Sequence, residues 1–197
     1  MAKSYMPKNL FGGTLQNTNL QFYVRKTDKD LLEIRTAFNL VNSAGLILNR
    51  YGQTINKIQL GFRKFDTKAE KGERLTAQID FFMDIPEFEL FCQNILSGNL
   101  VARVNRKETP TYYKGSVRNG EVLSRVLRVA RSNKGVFLNA TEGPGHKSES
   151  GAVQPDYNMG EAPSKVSIAL NSEELKEFAL QGRRALDFYY ANCFGRN

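Results

Sequence analysis

Twice along this chain a stretch of alternating apolar and polar residues passes directly into helical spacing, at a residue suited to cap a helix. Phe81-Phe82-Met83-Asp84-Ile85-Pro86-Glu87-Phe88-Glu89-Leu90-Phe91 lies over Ile168-Ala169-Leu170-Asn171-Ser172-Glu173-Glu174-Leu175-Lys176-Glu177-Phe178 without a gap. Asp84 and Asn171 are N-cap types, and each is followed three positions later by a Glu that can close a capping box. Behind the first cap, Phe88, Phe91, Cys92 and Ile95 recur at helical spacing and Gly98 ends the run. Behind the second, Leu175, Phe178, Ala179, Gly182, Leu186 and Tyr189 make an apolar stripe that reaches to about Ala191. Any strand-to-helix junction shares part of this pattern. The case for a repeat is that each junction also closes a strand, loop and strand of similar order.

The remaining alternation is that of strands. Leu20, Phe22 and Val24 alternate with Gln21, Tyr23 and Arg25, and Ile58, Leu60 and Phe62 with Lys57, Gln59 and Arg63. Leu31 to Val41, Leu75 to Phe81, Gly135 to Leu138 and Lys165 to Leu170 read the same way. Between the helices, Leu100 to Arg106, Thr111 to Arg118 and Glu121 to Ala130 form a meander, with Asn119-Gly120 as a tight hairpin turn. Met1 to Asn19 reads as a flexible arm and Thr141 to Ser164, rich in Gly, Ser and Pro, as a long mobile loop. The expected architecture is α+β: antiparallel β-sheets with two helices, an internal duplication of a strands-then-helix unit. Its pseudo-repeats are about 20–98 and 99–197 within one strand-rich domain, since only Asn99 separates Gly98 from Leu100.

A chain of 197 residues buries enough surface to need neither disulfides nor metal. No apolar run approaches the roughly 20 residues of a membrane span, and no leader with a cleavage site opens the sequence. A cytoplasmic protein with reduced thiols at Cys92 and Cys193 is expected. One histidine, His146, and two distant cysteines do not supply a tetrahedral zinc site or a Cys-His nucleophile pair. There is no glycine-rich phosphate loop. The pair Asp28 and Asp30 sits in a charged turn, and Glu87 and Glu89 fall to the helix start. The inventory therefore points away from an enzyme and calls for no cofactor.

The charge is uneven. Residues 101–134 hold nine basic against two acidic residues, a net of +7, whereas residues 1–100 carry +3 and residues 135–197 carry −2. Residues two apart on a strand share a face, so Tyr112, Lys114, Ser116 and Arg118 project together and Tyr113, Gly115 and Val117 project oppositely. In the next strand the basic residues divide, with Arg125 and Arg131 beside Leu127 and Val129, and Arg128 on the other side. Basic and aromatic side chains interleaved on a sheet suit a single strand, because cations track phosphates and rings stack on bases. No basic recognition helix offers itself to a duplex. The candidate binding residues are Tyr23, Arg25, Lys57, Arg63, Arg103, Arg106, Tyr112, Lys114, Arg118, Arg125, Arg128 and Arg131.

Lys165-Val166-Ser167-Ile168-Ala169-Leu170-Asn171, followed by Glu174-Leu175 and preceded by Gly135-Val136-Phe137-Leu138, resembles the last strands and helix start of the Whirly and positive-cofactor-four group. The resemblance implies a single-strand binder without base specificity, of DNA or RNA, compatible with assembly into a homo-oligomer. The expected function is therefore sequence-independent single-stranded DNA binding in replication, recombination or mobile-element transfer. The alternative is a structural or assembly protein of a phage or plasmid system, docking a partner through Phe188, Tyr189, Tyr190, Cys193 and Phe194.

Overall fold

Alternation sets the strands and ladder hydrogen bonds gather them into two antiparallel sheets. The computed structural model describes residues 17–18, 20–39, 56–70, 72–118, 120–158 and 160–191. The first sheet holds β1 (Asn17–Thr18), β2 (Gln21–Lys26), β3 (Asp30–Asn39), β4 (Lys57–Phe65) and β5 (Leu75–Asp84). Both β1 and β2 lie along one side of β3, whose other side pairs with β4, and β5 closes the row. Two helices follow, α1 (Ile85–Leu96) and α2 (Asn99–Asn105). The second sheet runs β6 (Thr111–Arg118), β7 (Glu121–Arg131), β8 (Gly135–Lys147) and β10 (Ser164–Asn171), with the short β9 (Val153–Pro155) paired to the end of β8. The last helix is α3 (Ser172–Tyr189). The fold is α+β, and each sheet is a meander that runs into a helix.

One apolar cluster joins everything. Ile58, Leu60, Phe62, Phe81 and Met83 of the first sheet meet Leu127, Val129, Leu138, Ile168 and Leu170 of the second. Phe88 and Phe91 of α1 and Phe178 of α3 lie among them, and the Phe178 ring is edge-on to each of the other two. Helices α1 and α3 approach closely at Gly182, where a Cβ would stand 2.8 Å from Cys92 Sγ and from the Phe88 ring.

Several expectations change. Among the described residues three helices form rather than two: the segment Leu100 to Arg106 reads as a strand but lies in α2 and its C-cap. Leu100 and Val104 are its buried positions, and a spacing of four fits both period two and a helical turn. Gly98, at φ +79°, lets the chain turn and start that helix directly after α1. Strand β8 does not stop near Leu138; it continues through Thr141, fully buried, to Lys147, so the expected loop from Thr141 to Ser164 begins as strand and contains β9. From Tyr23 on, the alternation of β2 is inverted, although Phe22 still packs against the core. A register shift between Gln21 and Tyr23 turns Tyr23 inward, 6% exposed, and leaves Val24 45% exposed. The arm Met1 to Asn19 lies outside the described residues apart from Asn17 and Thr18.

Candidate nucleic-acid interface

The two-residue connection between β6 and β7 sets Arg118 opposite Glu121, and from there every pair is fixed: Lys114 opposite Arg125, Tyr113 opposite Val126, Thr111 opposite Arg128. Leu127 belongs to the core, so its cross-strand partner Tyr112 points inward, and Lys114 and Ser116, two and four residues further along β6, share that face. The Tyr112 ring packs edge-on against Phe91 at 5.4 Å, and burial raises its hydroxyl pKa. Lys114 Nζ lies 2.6 Å from Asp84 Oδ2 and 2.7 Å from Glu87 Oε2. Burial works against its charge, but the two carboxylates outweigh it and raise the Lys114 pKa. Arg125 is held by Glu142 at 2.5 Å, and its Nη1 donates to Ser116 Oγ. The face expected to carry ligand is thus turned toward α1.

Most of the other candidate cations are likewise neutralised. Lys57 pairs with Asp84 at 3.1 Å. Arg63 reaches Asp80 at 2.8 Å and Glu33 at 3.5 Å. Glu33, 4% exposed, also holds Arg35 and accepts from Gln21. Leu31, Glu33, Arg35, Gln59, Arg63, Gln78 and Asp80 thereby line a depression of about 440 Å³ on the outer face of the first sheet, its charges balanced from within. Arg25 bonds Asp30 and Glu174, and the Tyr23 ring packs edge-on against Phe178, where burial and then Glu177 and Glu174 push its pKa up to about 12. Arg103 and Arg106 share Glu108. Arg131 is exposed at the end of β7, and the side chain of Arg118 lies outside the described residues.

Arg128 differs. It points from the outer face of the second sheet, and its Nε is buried with no hydrogen-bond partner. The ladders align that face into rows crossing the strands. Thr111, Arg128, Asn139 and Ser167 form one row. On one side stands the row Tyr113, Val126, Thr141 and Lys165; on the other stand Ala130, Phe137 and Ala169. Neighbouring rows are roughly 7 Å apart, and successive residues within a row about 4.8 Å. Tyr113 is 50% exposed and Phe137 37%. None of these strand residues is acidic. Of this set the candidate residues of the sequence include only Arg128; Tyr113, Phe137, Asn139 and Lys165 are brought beside it by the register of the strands.

Around Gly115, Gly143 and Gly145 the outer face is covered by residues 148–158 and 160–163, a strap laid over the sheet. A Cβ on Gly115 would fall 2.2 Å from Val153 Cβ, and one on Gly143 would meet Pro163 Cδ at 2.7 Å and the Tyr157 ring at 2.8 Å. Two missing side chains thus form the seat. Tyr157 Oη donates to Ser124 O and shares a hydrogen bond with Thr141 Oγ1. His146 at the end of β8 pairs with Asp156 of the strap. Ser124 Oγ is buried beneath it without a partner.

Elsewhere, Cys92 is buried in α1 and its thiol is pushed up to about 12 by burial. Phe188 and Tyr189 pack against the core and Tyr190 donates to Glu89; Cys193 and Phe194 lie outside the described residues. Among the described residues no three of His, Cys, Asp and Glu gather as a metal site, and no helix is long and apolar enough to cross a membrane.

No protein-family model matches the chain, and no curated protein matches it. Among solved structures the likeness is to Whirly proteins, the group the sequence resembles. WHY3 from Arabidopsis thaliana is 14% identical at a TM-score of 0.49, over 89% of this chain and 89% of that one. The plant transcriptional regulator PBF-2 is 14% identical at 0.49, over 91% and 85%, and WHY1 from Arabidopsis thaliana 11% identical at 0.48, over 90% and 86%. At these values the likeness describes an arrangement of strands and helices and says nothing of what is bound.

Proposed function

We propose that the chain binds single-stranded DNA, largely without regard to sequence, on the outer face of the second sheet. The observation that carries this reading is Arg128, a guanidinium with a buried, partnerless Nε on a strand face free of carboxylates. Thr111, Asn139 and Ser167, in its row, supply hydrogen-bonding groups. A backbone laid along this row has Tyr113 on one side and Phe137 on the other, and base stacking on such rings contributes about 1–3 kcal/mol each. The excess charge of residues 101–134 attracts the polyanion at long range.

The test is fluorescence anisotropy with a labelled single-stranded oligonucleotide and the matching duplex, each at low and high salt. The expected result is tighter binding of the single strand, weakening steeply with salt, and its loss in the double variant Tyr113→Ala, Phe137→Ala. Equal binding by that variant and the wild type overturns the assignment of this face.

A further inference from the structure

The strap has a composition unlike the sheet that it covers. Residues 148–163 include Glu149, Asp156 and Glu161 and no Lys or Arg. Glu149, Asp156 and Glu161 are all exposed, and Asp156 bonds His146. The seat on Gly115 and Gly143 belongs to the same outer face as Arg128, two rows away along the strands. An acidic segment therefore stands as a wall at one end of a face whose open strand residues are basic, aromatic or neutral.

We propose that this acidic strap is the element that makes the face select a single strand over a duplex, a reading that rests on the proposed nucleic-acid site. A single backbone on the Arg128 row lies about 13 Å from the seat of the strap, beyond the screening length of roughly 8 Å at physiological salt. Its phosphates are little affected by Glu149 and Glu161. A duplex brings a second backbone, with one phosphate for about every 1.7 Å of axis when both strands are counted. That backbone stands away from the row and reaches over the strap. Its phosphates then come within screening distance of exposed carboxylates, and like charges brought together disfavour the complex. The close fit of Val153 and Tyr157 onto the glycines means the strap need not move to act; its position is the device.

The experiment is a pair of binding curves, single strand and matching duplex at low salt, for the wild type, for Glu149→Gln/Glu161→Gln, and for the same pair with Asp156→Asn. Circular dichroism confirms that each variant keeps its fold. Duplex affinity is expected to rise roughly fivefold or more while single-strand affinity changes less than about twofold, so the preference shrinks. An unchanged ratio, whether both affinities rise together or neither moves, overturns the proposal while leaving the binding face intact. Arg128→Glu is the separate arm. If it binds the single strand as the wild type does, the face itself is misassigned, and the strap proposal falls with it.

Discussion

Arg128 and Lys114 show how residues of one charge on one sheet come to opposite roles. Arg128 projects outward without a partner, whereas Lys114 projects inward between Asp84 and Glu87. Reversing the first, Arg128→Glu, is expected to weaken single-strand binding about tenfold or more, equivalent to roughly 1–3 kcal/mol, and to lower the salt slope by about 1. Its melting temperature should stay near that of the wild type. Lys114→Met should do the reverse, lowering stability by about 1 kcal/mol after allowance for the partial exposure of its partners while leaving affinity unchanged. Chemical denaturation and anisotropy on the same two proteins separate these outcomes. The distinction was within reach of the sequence. Asn119-Gly120 implies a two-residue turn, Leu127 and Val129 mark the inward side of β7, and register then carries Tyr112 and Lys114 inward with them. Adjacent tyrosines and a lysine in favourable alternation obscured it, because charge alone does not tell which side of a strand the core takes.

At the scale of elements, the two helix starts look alike in sequence and differ in structure. Asn171 accepts from Glu173 N and Glu174 N, and Glu174 Oε2 accepts from Asn171 N, a complete capping box. Asp84 makes no such bond, and its carboxylate turns to Lys114 and Lys57 instead. Asn171→Ala is therefore expected to lose about 1 kcal/mol of stability by urea denaturation. Acid should show the other arrangement. Burial alone raises the Asp84 pKa, but the bonds from Lys114 and Lys57 outweigh it and hold the group below the usual carboxylate range. A carboxyl depressed by folding contributes stability that is complete above its unfolded pKa of about 4 and disappears as pH falls through its folded value. Urea midpoints should fall on acidification below about pH 4, and less steeply in Lys114→Met; parallel curves for the two proteins refute this account. Strands and helices with a long single period, such as β4 and α3, were legible from alternation alone. The inverted β2 and the helix α2 were not, because a register shift and the coincidence of two periods at a spacing of four leave no mark on composition.

At the scale of the molecule, the two sheet-and-helix units are not separable in their packing. Helix α3 follows the second sheet, yet its Phe178 ring meets Tyr23 of the first sheet at 5.5 Å and Phe88 and Phe91 of α1 at 6.5 and 6.1 Å. Arg25 of β2 reaches the capping Glu174 of the same helix, and Asp84 at the end of β5 is bound by Lys114 of β6. Each unit therefore completes its core with residues of the other. Calorimetry should give one unfolding transition whose van't Hoff and calorimetric enthalpies agree. Phe178→Ala, which removes a fully buried ring, is expected to lower stability by about 3–5 kcal/mol and to move that single transition as a whole. A second transition, in either protein, would mean that one sheet survives the loss of the other. The binding face could then be carried by the second sheet alone, and the shared core would be no more than contact between two independent folding units.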